Sequence, residues 1–270
     1  MISFPNCKIN LGLHITAKRQ DGFHDLQTIF FPLPYKDVLE FRETKEETSL
    51  KLTGIDIPVD ASNLCLKAFQ LLKNDYPEVK DLEIHLHKSI PIGAGLGGGS
   101  ADGAFALKMI NNYFNLNIST EKLIMYSLEL GSDCPFFILN KPCLATGRGE
   151  ILQPIEVGLS GYTIVVLNTG IHINTGWAFK NIQPKPVTHS LIDIIQQPIK
   201  NWKDFLLNDF EKPVFINHPE LADIKQMLYH KGALYASMSG SGSTIFGIFL
   251  NDIDDEDLHK FPVYKKMLIK

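Results

Sequence analysis

The stretch Leu82-Glu83-Ile84-His85-Leu86-His87-Lys88-Ser89-Ile90, followed by Pro91-Ile92-Gly93-Ala94-Gly95-Leu96-Gly97-Gly98-Gly99-Ser100-Ala101, decides how this chain is built. Leu82, Ile84 and Leu86 alternate with Glu83, His85 and His87, the two-residue period of a strand with one polar face. Good helix formers run from Ala101 to about Met109, so the order is strand, glycine loop, helix. Gly93, Gly95 and the run Gly97 to Gly99 cost backbone entropy that only positive φ or close approach to the main chain justifies. A plain tight turn needs one or two glycines. A phosphate is the usual guest of such a loop, because free N–H groups and the positive end of the helix dipole, here expected to begin at Ser100, form an anion site without a basic side chain.

That economy suits this composition. Lys and Arg total 26 against 30 Asp and Glu, a formal charge of −4, so no global positive field draws nucleic acid or anionic lipid, and any polyanion binds locally. Gly93-Ala94-Gly95-Leu96-Gly97-Gly98 formally satisfies G-x-G-x-x-G, the mark of a dinucleotide-binding oxidoreductase. The preceding strand argues against it, since a Rossmann first strand is apolar on both faces and this one is not. No Gly-Lys-Ser or Gly-Lys-Thr follows, which removes the P-loop.

Outward from the loop, Ile9, Leu11, Leu13 and Ile15 alternate with Lys8, Asn10, Gly12 and His14, predicting a half-buried strand with Lys8 and Asn10 together on the face opposite the core. Leu64, Cys65, Ala68, Phe69, Leu71 and Leu72 recur at helical spacing behind Ser62 or Asn63, either able to cap. A helix from about Ser119 to Leu130 stops at Gly131, and Ser132-Asp133-Cys134-Pro135 suits a new helical start. Beyond the Gly147-Arg148-Gly149 turn, Tyr162 to Leu167 reads as a buried strand opening a second unit, with the boundary near residue 155. Helices follow around Leu191 to Ile195 and Glu220 to Tyr229, then Ser239 to Ser243 and an apolar strand over Thr244 to Leu250. Alternating strands among helices favour an α+β fold with antiparallel sheet.

With 44% hydrophobic and 21% charged residues, the chain is an ordinary folded one, and 270 residues make one large domain or two closely joined ones. Cys7, Cys65, Cys134 and Cys143 are too sparse for a disulfide scaffold and form no C-x-x-C pair, so a reduced, cytoplasmic setting is expected. The start lacks the long apolar run of a signal peptide, and no segment reaches the roughly 18 apolar residues that cross a bilayer.

The Pro91 to Ala101 stretch resembles the second motif of the GHMP kinases, the superfamily of galacto-, homoserine, mevalonate and phosphomevalonate kinases. Ser237-Met238-Ser239-Gly240-Ser241-Gly242-Ser243 resembles the third motif, and Lys8-Ile9-Asn10-Leu11-Gly12-Leu13 the first. Asp21-Gly22-Phe23-His24, Leu26-Gln27-Thr28-Ile29 and Gly131-Ser132-Asp133-Cys134-Pro135-Phe136-Phe137 are similar to one branch whose alcohol carries a cytidine diphosphate. The resemblance implies a ribosomal-protein-S5-like N-terminal domain over 1–155 and a ferredoxin-like C-terminal domain over 156–270. It implies ATP as co-substrate with Mg2+. It also implies a small-molecule acceptor, a cytidine diphosphate derivative of methylerythritol on the non-mevalonate route to isoprenoid precursors, phosphorylated at its 2-hydroxyl. A mevalonate or homoserine type of kinase, or a non-catalytic ATP sensor on the same fold, are the competing readings. The branch usually has Tyr where this chain has Phe23, which keeps a ring and loses a hydroxyl.

Phosphoryl transfer to an alcohol needs positioning, charge neutralisation and a group that takes the hydroxyl proton. By resemblance Asp133 is that base, although its place after a helix stop also suits a helix cap. Lys8 would sit beside it and favour its carboxylate form, against the ordinary reading of a solvated strand lysine. Asn10, on the same face, would hydrogen-bond substrate. Phe23 and His24 look like one side of a pyrimidine site, with Thr175 and Phe179, in Ile173-Asn174-Thr175-Gly176-Trp177-Ala178-Phe179, on the other. Stacking on such rings supplies about 1–3 kcal/mol per base. Asn63 and Lys88 stand where the family holds adenine, and the Pro91 to Ala101 loop would cradle the phosphates. His85 and His87 share a face, as metal ligands or as a solvated pair.

Overall fold

The computed structural model of the chain describes residues 1–56 and 62–270. The first half runs β1 (Ile2–Ser3), β2 (Asn6–Lys18), β3 (His24–Lys36), β4 (Val38–Glu43), β5 (Ser49–Gly54), α1 (Leu64–Asp75), β6 (Leu82–Lys88), α2 (Gly98–Tyr113), α3 (Thr120–Leu130) and α4 (Cys134–Leu139). It continues β7 (Cys143–Thr146), β8 (Ile151–Pro154), β9 (Thr163–Asn168), α5 (Thr175–Lys180), α6 (Leu191–Ile195), α7 (Glu211–Asn217), α8 (Pro219–His230), β10 (Tyr235–Met238), β11 (Ile245–Phe249) and β12 (Val263–Leu268). This is the α+β mixture expected. Two compact units share it, one of Met1–Cys7, Pro34–Ile92 and Gly97–Lys141, the other of Lys8–Leu33, Gly93–Leu96 and Pro142–Lys270.

The first unit holds a sheet in the order β1-β4-β6-β5. β4 pairs antiparallel with β6, as alternation led us to expect, but β5 pairs parallel with β6 in the register Leu50↔Ile84. A parallel pair needs a crossover, and α1, between β5 and β6 in the chain, supplies it. The alternation reported one polar face and was silent on direction. On that face Thr53 Oγ1 lies 2.9 Å from His85 Nε2 and 3.0 Å from His87 Nδ1. α1 is capped by Asn63, whose Oδ1 accepts from Cys65 N at 2.9 Å. Gly103 lets α2 meet its neighbours, because a Cβ there would lie 2.8 Å from Leu64 Cβ and 3.2 Å from Leu130 Cδ1.

The helix after the glycine loop starts at Gly98, earlier than the Ser100 expected and ahead of the good helix formers that begin at Ala101, and extends to Tyr113. Gly97 is its cap, in the left-handed region at φ 70°, so Gly98 and Gly99 form the first helical turn. Ala101 N already donates to Gly97 O at 2.9 Å. Helix propensity lost to the demand for bare backbone here.

The second unit carries two sheets, β2-β3-β7-β8 and β10-β11-β9-β12. In the latter every pairing is antiparallel, with Phe246↔Val166, Ala236↔Gly247 and Lys265↔Val166 in register. One core takes Val165 and Leu167 of β9, Leu221, Ile224 and Leu228 of α8, and Leu13 and Ile15 of β2. β2 is thus longer than expected and buried on both faces through Leu13. Its face with Lys8 and Asn10 is not solvated: the two side chains are 3% and 2% exposed.

Candidate active site

In the second unit, the covered face of β2 meets two glycine-containing loops. Lys8 Nζ donates to Asn10 Oδ1 at 2.7 Å and to Gly95 O at 3.1 Å, and lies 5.0 Å from the centre of the Phe30 ring. Asn10 Nδ2 donates to Thr28 Oγ1 at 2.9 Å. Ser239 Oγ donates to Gly95 O at 2.8 Å and accepts from Asn10 N at 3.3 Å. Gly95 has φ +78°, and a Cβ there would fall 1.9 Å from Ser239 O. Backbone against backbone, the residues 93–96 and 239–242 clamp the lysine in a position that no side chain at 95 would allow. Burying an ammonium is costly unless its hydrogens are satisfied, so its burial on a carbonyl and an amide oxygen marks a built site.

The aromatic residues gather in the same unit with one difference from expectation. His24 and Phe179 stack on each other, 5.1 Å between ring centres and 26° between planes, so they form one platform and not two opposed walls. Phe210 meets the edge of Phe179 at 4.9 Å. Phe23 is 51% exposed, its ring covered by the Arg148 guanidinium at 4.7 Å. Thr175 Oγ1 lies 3.2 Å from Ser241 Oγ, which ties the start of α5 to the loop after β10. Burial, with Lys18 assisting, lowers the His24 pKa from its ordinary value and so favours the neutral imidazole.

The first unit holds the other candidates. Lys88 is buried, its ammonium bonded to Asp37 and, at 2.7 Å, to Asp102. Asp37 Oδ1 also accepts from Ser89 N at 2.6 Å and Ile90 N at 2.8 Å. The lysine expected beside adenine therefore sits inside the unit, where it fixes the entry to the glycine loop and the first turn of α2. Two carboxylates share one ammonium there. Burial pushes the Asp102 carboxyl up to about 7, and among the described residues its Oδ1 finds no hydrogen-bond partner. Asp133 stands at the cap position of α4 with helical angles, φ −84° and ψ −14°, and makes no capping hydrogen bond.

The helix start also fits an anion. A Cβ on Gly98 would press on Ile90 Cγ2 at 2.8 Å, whereas a Cβ on Gly99 would meet nothing among the described residues within 4 Å, so the first turn of α2 is open on the Gly99 side. Sequence reasoning missed Thr28, Asp37 and Asp102 as supports, and it missed Asn208 and Glu211 altogether; no local pattern marks any of them.

A buried lysine clamped by two glycine loops, on a fold of this topology, defines a small-molecule kinase of the GHMP class. The family model for the GHMP kinases N terminal domain matches residues 63–141 and that for GHMP kinases C terminal matches residues 191–261. The crystal structure of mevalonate kinase from Methanococcus jannaschii has the same fold, with a TM-score of 0.70 over 99% of this chain and 96% of the other at 13% identity.

Within that class the chain belongs to the 4-diphosphocytidyl-2-C-methyl-D-erythritol kinase family. It is 48% identical over 253 residues to that enzyme of Bacteroides fragilis strain YCH46, covering 92% of each chain. Against that of Azobacteroides pseudotrichonymphae genomovar. CFP2 the identity is 50% over 256 residues, covering 92% of this chain and 93% of the relative. A crystal structure of 4-(cytidine 5'-diphospho)-2C-methyl-D-erythritol kinase superposes with a TM-score of 0.83 and 29% identity, covering 98% of each chain.

Proposed function

We propose that this chain transfers the γ-phosphate of ATP to the 2-hydroxyl of 4-diphosphocytidyl-2-C-methyl-D-erythritol, in the cytoplasm, on the non-mevalonate route to isoprenoid precursors. The observation that carries the reading is Lys8, buried on Asn10 Oδ1 and Gly95 O at the glycine loop. A positive charge fixed there meets the charge that develops on a transferring phosphoryl group, and it needs no reorganisation during reaction. Asp133, not engaged in capping, takes the proton of the attacking hydroxyl. The loop from Pro91 to Ala101 receives the phosphates, with Gly99 as the open point of the cradle. Asn63 lies at the adenine end, and Lys88 supports the loop from within.

The His24–Phe179 pair offers its outer surface to the cytosine ring, with Phe23, Thr175 and Asn10 as further substrate contacts. Among the described residues no group of three or more His, Cys, Asp or Glu is arranged to hold a metal. Mg2+ would accompany the nucleotide and neutralise phosphate charge, as in phosphoryl transfer generally. The two family segments fall one on each side of residue 155, whereas the compact units do not divide the chain there, because Lys8–Leu33 and Gly93–Leu96 group with Pro142–Lys270.

The test is ATP consumption with the cytidylyl methylerythritol compared with mevalonate, homoserine and galactose. Turnover of the first is expected. Turnover of one of the other three alone would overturn the substrate, and ATP binding without any turnover would mean a sensor.

A further inference from the structure

Four consecutive residues before and into α7 hold three parts of the proposed site. Asn208, 4% exposed, donates both amide hydrogens to the loop after β10, to Met238 O at 2.7 Å and Gly240 O at 2.9 Å. Its Oδ1 accepts from Phe210 N at 2.9 Å. Asp209 accepts from Ile15 N at 2.8 Å, and its backbone N donates to Leu13 O at 2.9 Å, so it grips the strand that carries Lys8. Phe210 supports the edge of Phe179. Glu211 Oε1 accepts from Met238 N and Ser237 Oγ, both at 2.9 Å, while Lys225 neutralises its other oxygen at 2.6 Å.

We propose that Asn208–Glu211 is a positioning element of this site. In it Asn208 sets the loop whose Ser239 and Gly240 fix the Gly95 carbonyl that receives the Lys8 ammonium. The path is continuous. Asn208 holds the carbonyls on either side of Ser239, Ser239 Oγ donates to Gly95 O, and Gly95 O accepts from Lys8 Nζ. Gly240 closes the contact, since a Cβ on it would lie 3.2 Å from Gly95 Cα and 3.5 Å from Asn10 Oδ1. A truncated Asn208 leaves two buried carbonyls to find other donors, and the loop must shift to find them. Misplacement by an ångström of the group that steadies the transferring phosphoryl costs up to about 100-fold in rate.

The proposal rests on the assignment of Lys8, and a double-mutant cycle read by single-turnover phosphoryl transfer separates the two. Asn208→Ala should lower the rate about 10- to 100-fold in the otherwise native enzyme. In the Lys8→Met background it should change the rate less than about threefold, because residues acting as one unit are not additive. The same loss in both backgrounds, or a lowered melting temperature with a native rate, would overturn the positioning role. A native rate in Lys8→Met alone would sink the reading of Lys8 and this proposal with it. Asn208→Ser, which keeps one donor, enters the same cycle if the alanine variant does not fold, and should then give the smaller loss of the two donors' removal.

Discussion

Replacing Asp133 by Asn separates chemistry from architecture more cleanly than any other single change in this protein. The substitution keeps the side chain's size and one carbonyl oxygen but cannot accept the hydroxyl proton. Loss of a general base costs about 10² to 10⁴-fold, which at 1.36 kcal/mol per decade raises the barrier by about 3–5 kcal/mol. The structural cost can be bounded from the geometry. A capping aspartate would be worth about 0.5–2 kcal/mol; Asp133 makes no side-chain capping bond, and its interaction with the α4 dipole is worth about 0.3–1 kcal/mol, most of which the isosteric amide gives up. A chain of this size loses about 2–4 °C of Tm per kcal/mol, so Tm should fall by no more than about 4 °C. The assay is single-turnover transfer with both substrates saturating, beside melting curves of the same preparations. A native transfer rate, with or without a lower Tm, would refute the reasoning.

Three further outcomes follow from particular contacts. Gly98→Val drives its side chain into Ile90 and should lose about 1–3 kcal/mol of stability by overpacking, whereas Gly99→Ala, opening on empty space, should leave Tm unchanged or higher and still weaken ATP binding by about tenfold or more; calorimetric titration with ATP decides, and native affinity in Gly99→Ala would place the cradle elsewhere. Phe179→Ala should raise KM for the cytidylyl substrate by a factor corresponding to about 1–3 kcal/mol while leaving ATP affinity nearly native, and equal losses for both substrates would reduce Phe179 to a packing residue between His24 and Phe210. Asp102→Asn tests the buried pair on Lys88: a carboxyl raised to about 7 in the folded chain and ordinary when unfolded lets the folded state keep a proton that the unfolded state releases, so native stability from this group falls as pH rises from about 4 to 7. The Tm difference between Asp102→Asn and the native protein should therefore move in the variant's favour across that window and level off above it, and a pH-independent difference would show that Asp102 does not titrate there.

Much of this site could be read from one sequence because its decisive parts are local. The strand at 82–88, the glycines that follow and the helix after them lie within about 30 residues, and periodicity, glycine's positive φ and the helix dipole act at that range. The cap of α1 at Ser62 or Asn63, the helix from about Ser119 and the helical start near Cys134 were readable for the same reason. What the sequence could not decide was which polar faces would be covered. Lys8 and Asn10 occupy alternating positions that look solvated, and their burial comes from Gly95 and Ser239, 87 and 229 residues away along the chain. The direction of β5 against β6 was hidden too, since alternation is the same for parallel and antiparallel neighbours. His24 and Phe179 each read as a ring for a base, yet only packing in the second unit set them against each other. Asn208 is the extreme case, a side chain with no local pattern whose amide bonds a loop 30 and 32 residues on. Sequence by itself determined most of the elements, because backbone sterics and hydrogen bonding are settled among near neighbours, while the chemistry expected of them came from the resemblance of their motifs to the GHMP kinases. Tertiary structure alone decided which of those groups are desolvated and which carbonyls they meet, because burial is a property of chain segments brought together from far apart.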